Sequence, residues 1–217
     1  MSMKRNNFFL LFILISLVVT ITAFKEKPEQ VVCFGDSITY GAKVDGHSWV
    51  WFLSQQHQDI DFVNAGRSGR KTSDKKELFP VLEKHPTADY YLIFLGVNDL
   101  KDGTDSMVNS CVENMKWMIG EIRKANARAK IVLLAPTDIN LKTMDQVNVS
   151  KKYNENTKHS LYALEKRYSE LAKEEHTGFI SLLHAVSKPN YADGLHPDEK
   201  GQKQIAKIVW KGFKKIL

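Results

Sequence analysis

Cysteine is scarce, with two in 217 residues, Cys33 and Cys111. Two thiols make no framework of the kind that holds small secreted domains together, and both read as small buried apolar side chains. The seven histidines are not paired with one another or with cysteine at a metal-ligand spacing, which argues against a metal centre. No internal repeat and no low-complexity tract occurs. The charge imbalance is small: the formal +6 falls to +4 without Lys4 and Arg5. Much of that excess sits near the end of the chain, at Lys200, Lys203, Lys207, Lys211, Lys214 and Lys215. No nucleic-acid motif accompanies it, so a solvated helix face is expected there and nucleic acid is not an expected partner.

A long apolar run occurs once. "MSMKRNN" gives a basic start, and "FFLLFILISLVVTITAF" continues to Phe24. This is the layout of an export signal; the run is short for a comfortable membrane span and contains Ser16, Thr20 and Thr22. Residues 1–24 are therefore expected to be a cleaved signal peptide, with a retained N-terminal membrane anchor as the alternative. Cys33 does not suit a lipoprotein cysteine, because it lies well beyond the apolar run. The composition of the whole chain, 43% hydrophobic and 26% charged, is ordinary for a globular protein, and residues 25–217 have the length of one domain with a sizeable core.

After the linker "KEKPEQ", strands and helices alternate. The expected strands are Gln30–Gly35, Asp59–Gly66, Asp89–Gly96, Lys130–Pro136 and Thr177–Leu183. All are short, mostly apolar and rich in β-branched or aromatic residues, as strands buried on both faces of a parallel sheet are. Met107, Val108, Cys111, Val112, Met115, Met118, Ile119 and Ile122 recur at helical spacing, with Asp105 or Ser106 as the expected cap. A long charged helix is expected over Tyr153–Glu175, with Leu161, Leu164, Tyr168 and Leu171 as its stripe. A last helix buries Ile205, Val209, Phe213 and Ile216, with Pro197 in its first turn. The alternation implies an α/β sandwich whose ligands sit beyond the carboxyl ends of the strands.

Chemically capable residues cluster at those ends. Asp36 and Ser37 follow the first strand, "NAGRSG" ends the second, "GVND" the third, and the loop before the last helix carries "DGLHP". A serine hydroxyl is a poor nucleophile unless a base takes its proton during attack. His196 is the natural base, and Asp193, three residues earlier, can fix its tautomer and stabilise the imidazolium. Ser37 should open a helix, where free N–H groups favour negative charge. Its own N–H, a Gly66 N–H and the Asn98 amide are the expected oxyanion donors. Asp36 and Asp99 read as loop or cap residues. Tyr40 and Tyr191 lie close enough to these clusters to be candidates for substrate contact. Arg67, beside Gly66, is a candidate for an acidic substituent. "NVS" at Asn148 meets the glycosylation pattern, which matters only in a eukaryotic secretory pathway.

"GDSITYG", "NAGRSG", "GVND" and "DGLHP", in that order, resemble the four blocks of the SGNH hydrolases, the GDSL esterases and lipases. The likeness runs from Val31 to about Ile216. It implies catalytic roles for Ser37, Gly66, Asn98 and His196, with Asp193 completing a triad. It also implies a flavodoxin-like three-layer α/β/α sandwich with a five-stranded parallel sheet of order 2-1-3-4-5, and no metal or organic cofactor. "YNENTKH", from Tyr153, resembles the Tyr-Asn that often opens the long helix after the fourth strand.

Such enzymes cleave acetyl groups from sugars, acyl chains from lipids, or simple esters and thioesters. The polar loop "DLKDGTDS" and the mixed segment "TDINLKTMDQVNVS" offer no continuous apolar groove, which a long acyl chain needs to recover roughly 0.8 kcal/mol per CH2. The expectation is an exported small-acyl esterase acting on a small-molecule or glycan ester. A lysophospholipase or thioesterase is the enzymatic alternative, and a silent carbohydrate-binding module the alternative of another class.

Overall fold

The structure, a computed structural model, describes residues 28–217; the expected export segment lies outside them. Five strands follow in chain order: β1 (Glu29–Gly35), β2 (Ile60–Gly66), β3 (Tyr90–Phe94), β4 (Lys130–Ala135) and β5 (Gly178–Ser181). They form one sheet of order β2-β1-β3-β4-β5, and every pairing is parallel. Each of the expected strands is present within three residues at either end. The register sets Gly35 opposite both Gly66 and Phe94, so three strands finish at one level and deliver their loops to a common rim.

The helices are α1 (Ser37–Tyr40), α2 (Trp49–Gln56), α3 (Leu78–Lys84), α4 (Asp105–Ala125), α5 (Gln146–Ser150), α6 (Glu155–Glu174) and α7 (Glu199–Phe213). Side chains alternate across the sheet along β1. Val32 and Phe34 join one cluster, with Met115, Ile119 and Ile122 of α4 and Leu161, Leu164 and Tyr168 of α6. Val31 and Cys33 join the other, with Trp49 and Leu53 of α2 and Ile205, Val209 and Phe213 of α7. Because both faces are covered, β3 is apolar throughout and wholly buried, and each fully buried leucine such as Leu92 stabilises the fold by roughly 1.5–3 kcal/mol. Cys33 and Cys111 are free thiols in opposite clusters, with the sheet between them. No helix among the described residues is long and apolar enough to cross a membrane.

The caps differ in detail from expectation. Thr104, not Asp105 or Ser106, caps α4 by accepting the Met107 N–H; Asp105 instead supplies negative charge to the first turn, where the helix dipole favours it. The long helix starts two residues late, because Asn154 and Thr157 close a capping box that leaves Tyr153 outside. Pro197 precedes α7 and is not in its first turn, since Asp198 caps that helix by accepting the Gly201 N–H.

Candidate active site

At the end of β1 the chain turns into α1 through Asp36, whose Oδ1 accepts the Ile38 N–H at 2.9 Å. That cap places Ser37 at the first helical position, and Gly41, with φ 94°, ends the helix after one turn. Ser37 is nearly buried, and its Oγ lies 3.0 Å from Nε2 of His196.

His196 comes from the loop between β5 and α7. Asp193 organises that loop: its Oδ1 accepts the N–H groups of Leu195 at 3.0 Å and His196 at 2.7 Å. Its Oδ2 lies 2.8 Å from His196 Nδ1. An ionised carboxylate only accepts, so Nδ1 carries the proton and Nε2 turns its lone pair toward the serine hydroxyl. Burial pushes the Asp193 carboxyl up, but the hydrogen bonds from the His196 ring and from two backbone N–H groups outweigh it and hold the group well below the usual carboxylate range. The result is a serine, an imidazole and a buried anion in line. Such a relay can activate a hydroxyl for attack on an ester carbonyl.

Beside the relay, Asn98 follows β3. Its Nδ2 donates to the Arg70 carbonyl at 3.1 Å and reaches toward Asp36 Oδ2 at 3.5 Å, while its Oδ1 accepts from the Tyr153 hydroxyl at 2.8 Å. The amide's donor end therefore lies on the Asp36 side, next to Ser37. These three clusters stand at the ends of parallel strands in one sheet, and residues 33–204 match the GDSL-like lipase/acylhydrolase family.

The chain belongs to this family. It is a carboxylic ester hydrolase of the GDSL (SGNH) type. A curated arylesterase of Vibrio mimicus is 28% identical over 207 residues, covering 90% of this chain and 94% of the relative. An uncharacterized lipoprotein of Bacillus subtilis is 32% identical over 140 residues, 58% of this chain and 57% of that one. Among solved structures, a carbohydrate acetylesterase family member from Sinorhizobium meliloti superposes with a TM-score of 0.74 at 19% identity, covering 87% of this chain and 99% of its own.

Within this hydrolase, other expected residues have different surroundings. The Gly66 N–H is already engaged: it donates to Asn64 Oδ1 at 2.9 Å. What Gly66 provides is room, since a Cβ there would stand 2.3 Å from the Tyr40 backbone nitrogen. Gly69, three residues on, is exposed with φ 77°, and its N–H finds no acceptor among the described residues. It directly precedes Arg70, whose carbonyl touches Asn98. A glycine with a free N–H in a left-handed turn was a signal present in "NAGRSG" but not separable there from Gly66.

Arg67 does not offer a free guanidinium, because Glu77 at 2.7 Å and Asp74 at 3.0 Å occupy it. Tyr191 is buried, and its hydroxyl donates to the Asp138 carbonyl at 2.7 Å, so it braces the loop and presents no phenol to a ligand. Tyr40 is 55% exposed at the end of α1 and remains available for contact. Lys43, which the sequence reading did not single out, sets its Nζ 3.9 Å from Asp193 Oδ2. Asp99 accepts both the N–H and the hydroxyl of Thr72, a loop lock as expected. Asn148 is buried with its amide on the Asp193 carbonyl, which leaves no room for a glycan on that nitrogen.

Proposed function

We propose that this ester hydrolase removes small acyl groups, acetyl foremost, from carbohydrate outside the cytoplasm, with Ser37 as nucleophile, His196 as general base and acid, and Asp193 as its orienting anion. The observation that carries the reading is the Ser37–His196–Asp193 relay, with contacts of 3.0 and 2.8 Å. As Ser37 Oγ bonds to the ester carbonyl carbon, its proton passes to His196 Nε2. The carbonyl oxygen becomes an oxyanion held by the Ser37 N–H in the first turn of α1, by Asn98 Nδ2 and by a glycine N–H from the β2 loop. In this reading Gly69 takes the place expected of Gly66, because its N–H is free to donate. The carbon–alkoxide bond then breaks, and the leaving oxygen takes the proton from His196. Water attacks the acyl-serine, gives its proton to His196, and Ser37 is restored as the acid departs.

Small acyl groups are favoured because the segments that follow β2 and β3 carry polar side chains, Arg67 and Ser68 in one and Lys101 and Asp102 in the other, with Tyr40 as the large exposed aromatic group of α1. The likeness to a carbohydrate acetylesterase fold agrees with this choice. Export rests on the basic start and apolar run of residues 1–24, read as a signal peptide or anchor ahead of a single 25–217 domain, and on the likeness to a lipoprotein. One observation favours a second reading. Val147 and Val149 are 57% and 48% exposed on α5, a helix tied to Asp193 through Asn148, and they would suit a longer acyl chain of a lysophospholipid or thioester. Hydrolysis rates along an ester series from acetyl to long-chain acyl, with Ser37→Ala beside the unaltered protein, decide between them. Efficiency falling with chain length and lost in the variant is expected; a long-chain optimum moves the substrate to lipids, and equal activity in both proteins removes Ser37 from the mechanism.

A further inference from the structure

A primary amide has nearly the same shape whichever way round it sits, and its donor and acceptor ends are assigned by their partners. Asn98 can serve an oxyanion only if its nitrogen faces Ser37. Three groups bear on that choice. The Arg70 carbonyl at 3.1 Å and Asp36 Oδ2 at 3.5 Å face the nitrogen, and the Tyr153 hydroxyl donates to the oxygen at 2.8 Å. The tyrosine contact is the shortest and comes from an element remote in the chain.

Tyr153 is held firmly for this task. It is 3% exposed, and its phenol is kept protonated because burial raises it, with the Asp36, Asp99 and Asp193 carboxylates adding to the effect. Its N–H donates to the Asn148 carbonyl, and the Asn148 side chain donates to the Asp193 carbonyl. On its C-terminal side the Asn154–Thr157 capping box anchors α6, and Asn154 also donates to Asp102 in the loop after β3. Lys101 of that same loop lies over the Tyr153 ring, 5.4 Å from its centre. The phenol is therefore fixed between the loop that bears Asn98 and the segment that supports Asp193.

One Asn98 N–H is spent on Arg70. The other reaches only to 3.5 Å from Asp36, so it has most of its hydrogen-bonding capacity left for a new acceptor. A donor on the amide oxygen also draws electron density from the nitrogen, so the remaining N–H becomes a better donor. That gain grows as negative charge develops on the substrate oxygen, and it is therefore larger in the transition state than in the bound ester.

We propose that Tyr153 is a positioning residue for ester hydrolysis, orienting and polarising the Asn98 amide through its hydroxyl while touching no substrate atom. This rests on the reading of Asn98 as an oxyanion donor, and the test separates the two. Steady-state hydrolysis of p-nitrophenyl acetate is measured for the full chain, Tyr153→Phe, Asn98→Ala and the double variant, with the melting temperature of each. Asn98→Ala is expected to lower kcat by about 10²–10³. Tyr153→Phe should lower kcat by about tenfold with KM changed less than twofold, as for an interaction that is stronger in the transition state. In the Asn98→Ala background the same substitution should have no further effect on kcat, because the group it acts through is gone. A purely structural tyrosine would lower the melting temperature in both backgrounds while leaving the kcat per folded molecule unchanged, and that result overturns the proposal. So does an equal loss of kcat in both backgrounds. If Asn98→Ala retains full kcat, the oxyanion role of Asn98 falls and this inference falls with it.

Discussion

Replacing Asp36 by asparagine isolates what it costs the fold to keep a carboxyl group beside Ser37. Asp36 is completely buried, and its carboxyl is pushed up from 3.8 to about 7. Burial is the main cause; the Ile38 N–H, the positive charge of Arg70 and the neighbouring His196 oppose it, and Asp99 adds to it. The folded protein thus binds a proton between those two values that the unfolded chain releases. The stabilisation from that proton is fully present below the unfolded value and is lost as pH rises through the folded one. At about 1.4 kcal/mol per unit, a gap of about three units corresponds to about 4 kcal/mol over the whole window. From about pH 5.5 to about pH 8.5 only the upper half of the window is crossed, which leaves about 2 kcal/mol. Asparagine keeps an oxygen to accept the Ile38 N–H and cannot ionise. Urea unfolding at the two pH values should therefore show the unaltered protein losing about 2 kcal/mol more than Asp36→Asn over this interval. Groups that titrate alike in both proteins cancel in the difference. Parallel stability curves for the two proteins would refute the reasoning, since a carboxyl that stays ionised throughout gives no such divergence.

Asp193→Asn puts an amide N–H against His196 Nδ1 in place of the acceptor now 2.8 Å away, which forces the wrong tautomer; kcat should fall by about 10⁴ with the fold retained by circular dichroism. The stabilisation from the Asp193 hydrogen bonds runs opposite to that of Asp36. It is present above the unfolded carboxylate value and fades as pH falls toward the depressed native one, so acid unfolding should come at higher pH once those bonds are lost. Gly66→Ala brings a Cβ to 2.3 Å from the Tyr40 nitrogen and 2.7 Å from the Thr39 carbonyl carbon, both backbone atoms. A loss of about 1–3 kcal/mol in thermal or urea unfolding is expected. Gly69→Ala has open space around its Cβ and pays for its φ of 77° about 1–2 kcal/mol, while keeping the N–H and most of the activity. Cys33 and Cys111, both buried and both with thiols pushed far up by burial, should stay unreactive toward a thiol reagent until urea unfolds the chain; a fast-reacting thiol in the native protein would contradict their placement.

The alternation of short apolar runs with amphipathic ones was enough to find five strands and the long helices, because the spacing of buried positions along a segment is a local property. It was also enough to find Ser37, His196 and Asp193 as one cluster, since all parallel strands end on one rim. Hydrogen-bond partners were not legible in the same way. Arg67 beside the second block reads as a free cation, yet Asp74 and Glu77 of the following turn take it up. Tyr191 lies two residues from Asp193, but its ring is directed to Asp138, 53 residues away. In "NAGRSG" the first and last glycines look alike, and only the fold shows that Asn64 consumes the N–H of Gly66.

What the sequence by itself determined was the set of elements, the Ser37, His196 and Asp193 side chains that come together, and the rim on which they meet. Periodicity and strand-end chemistry suffice for that because each acts within a few residues. The tertiary structure alone decided which donors are free and which are spent, that Tyr153 bonds to Asn98 across 55 residues, and that Asp36 is fully buried. Those facts depend on distances between segments that share no local pattern, and they are settled only when packing has set how closely β1, β2, β3 and the start of α6 approach one another.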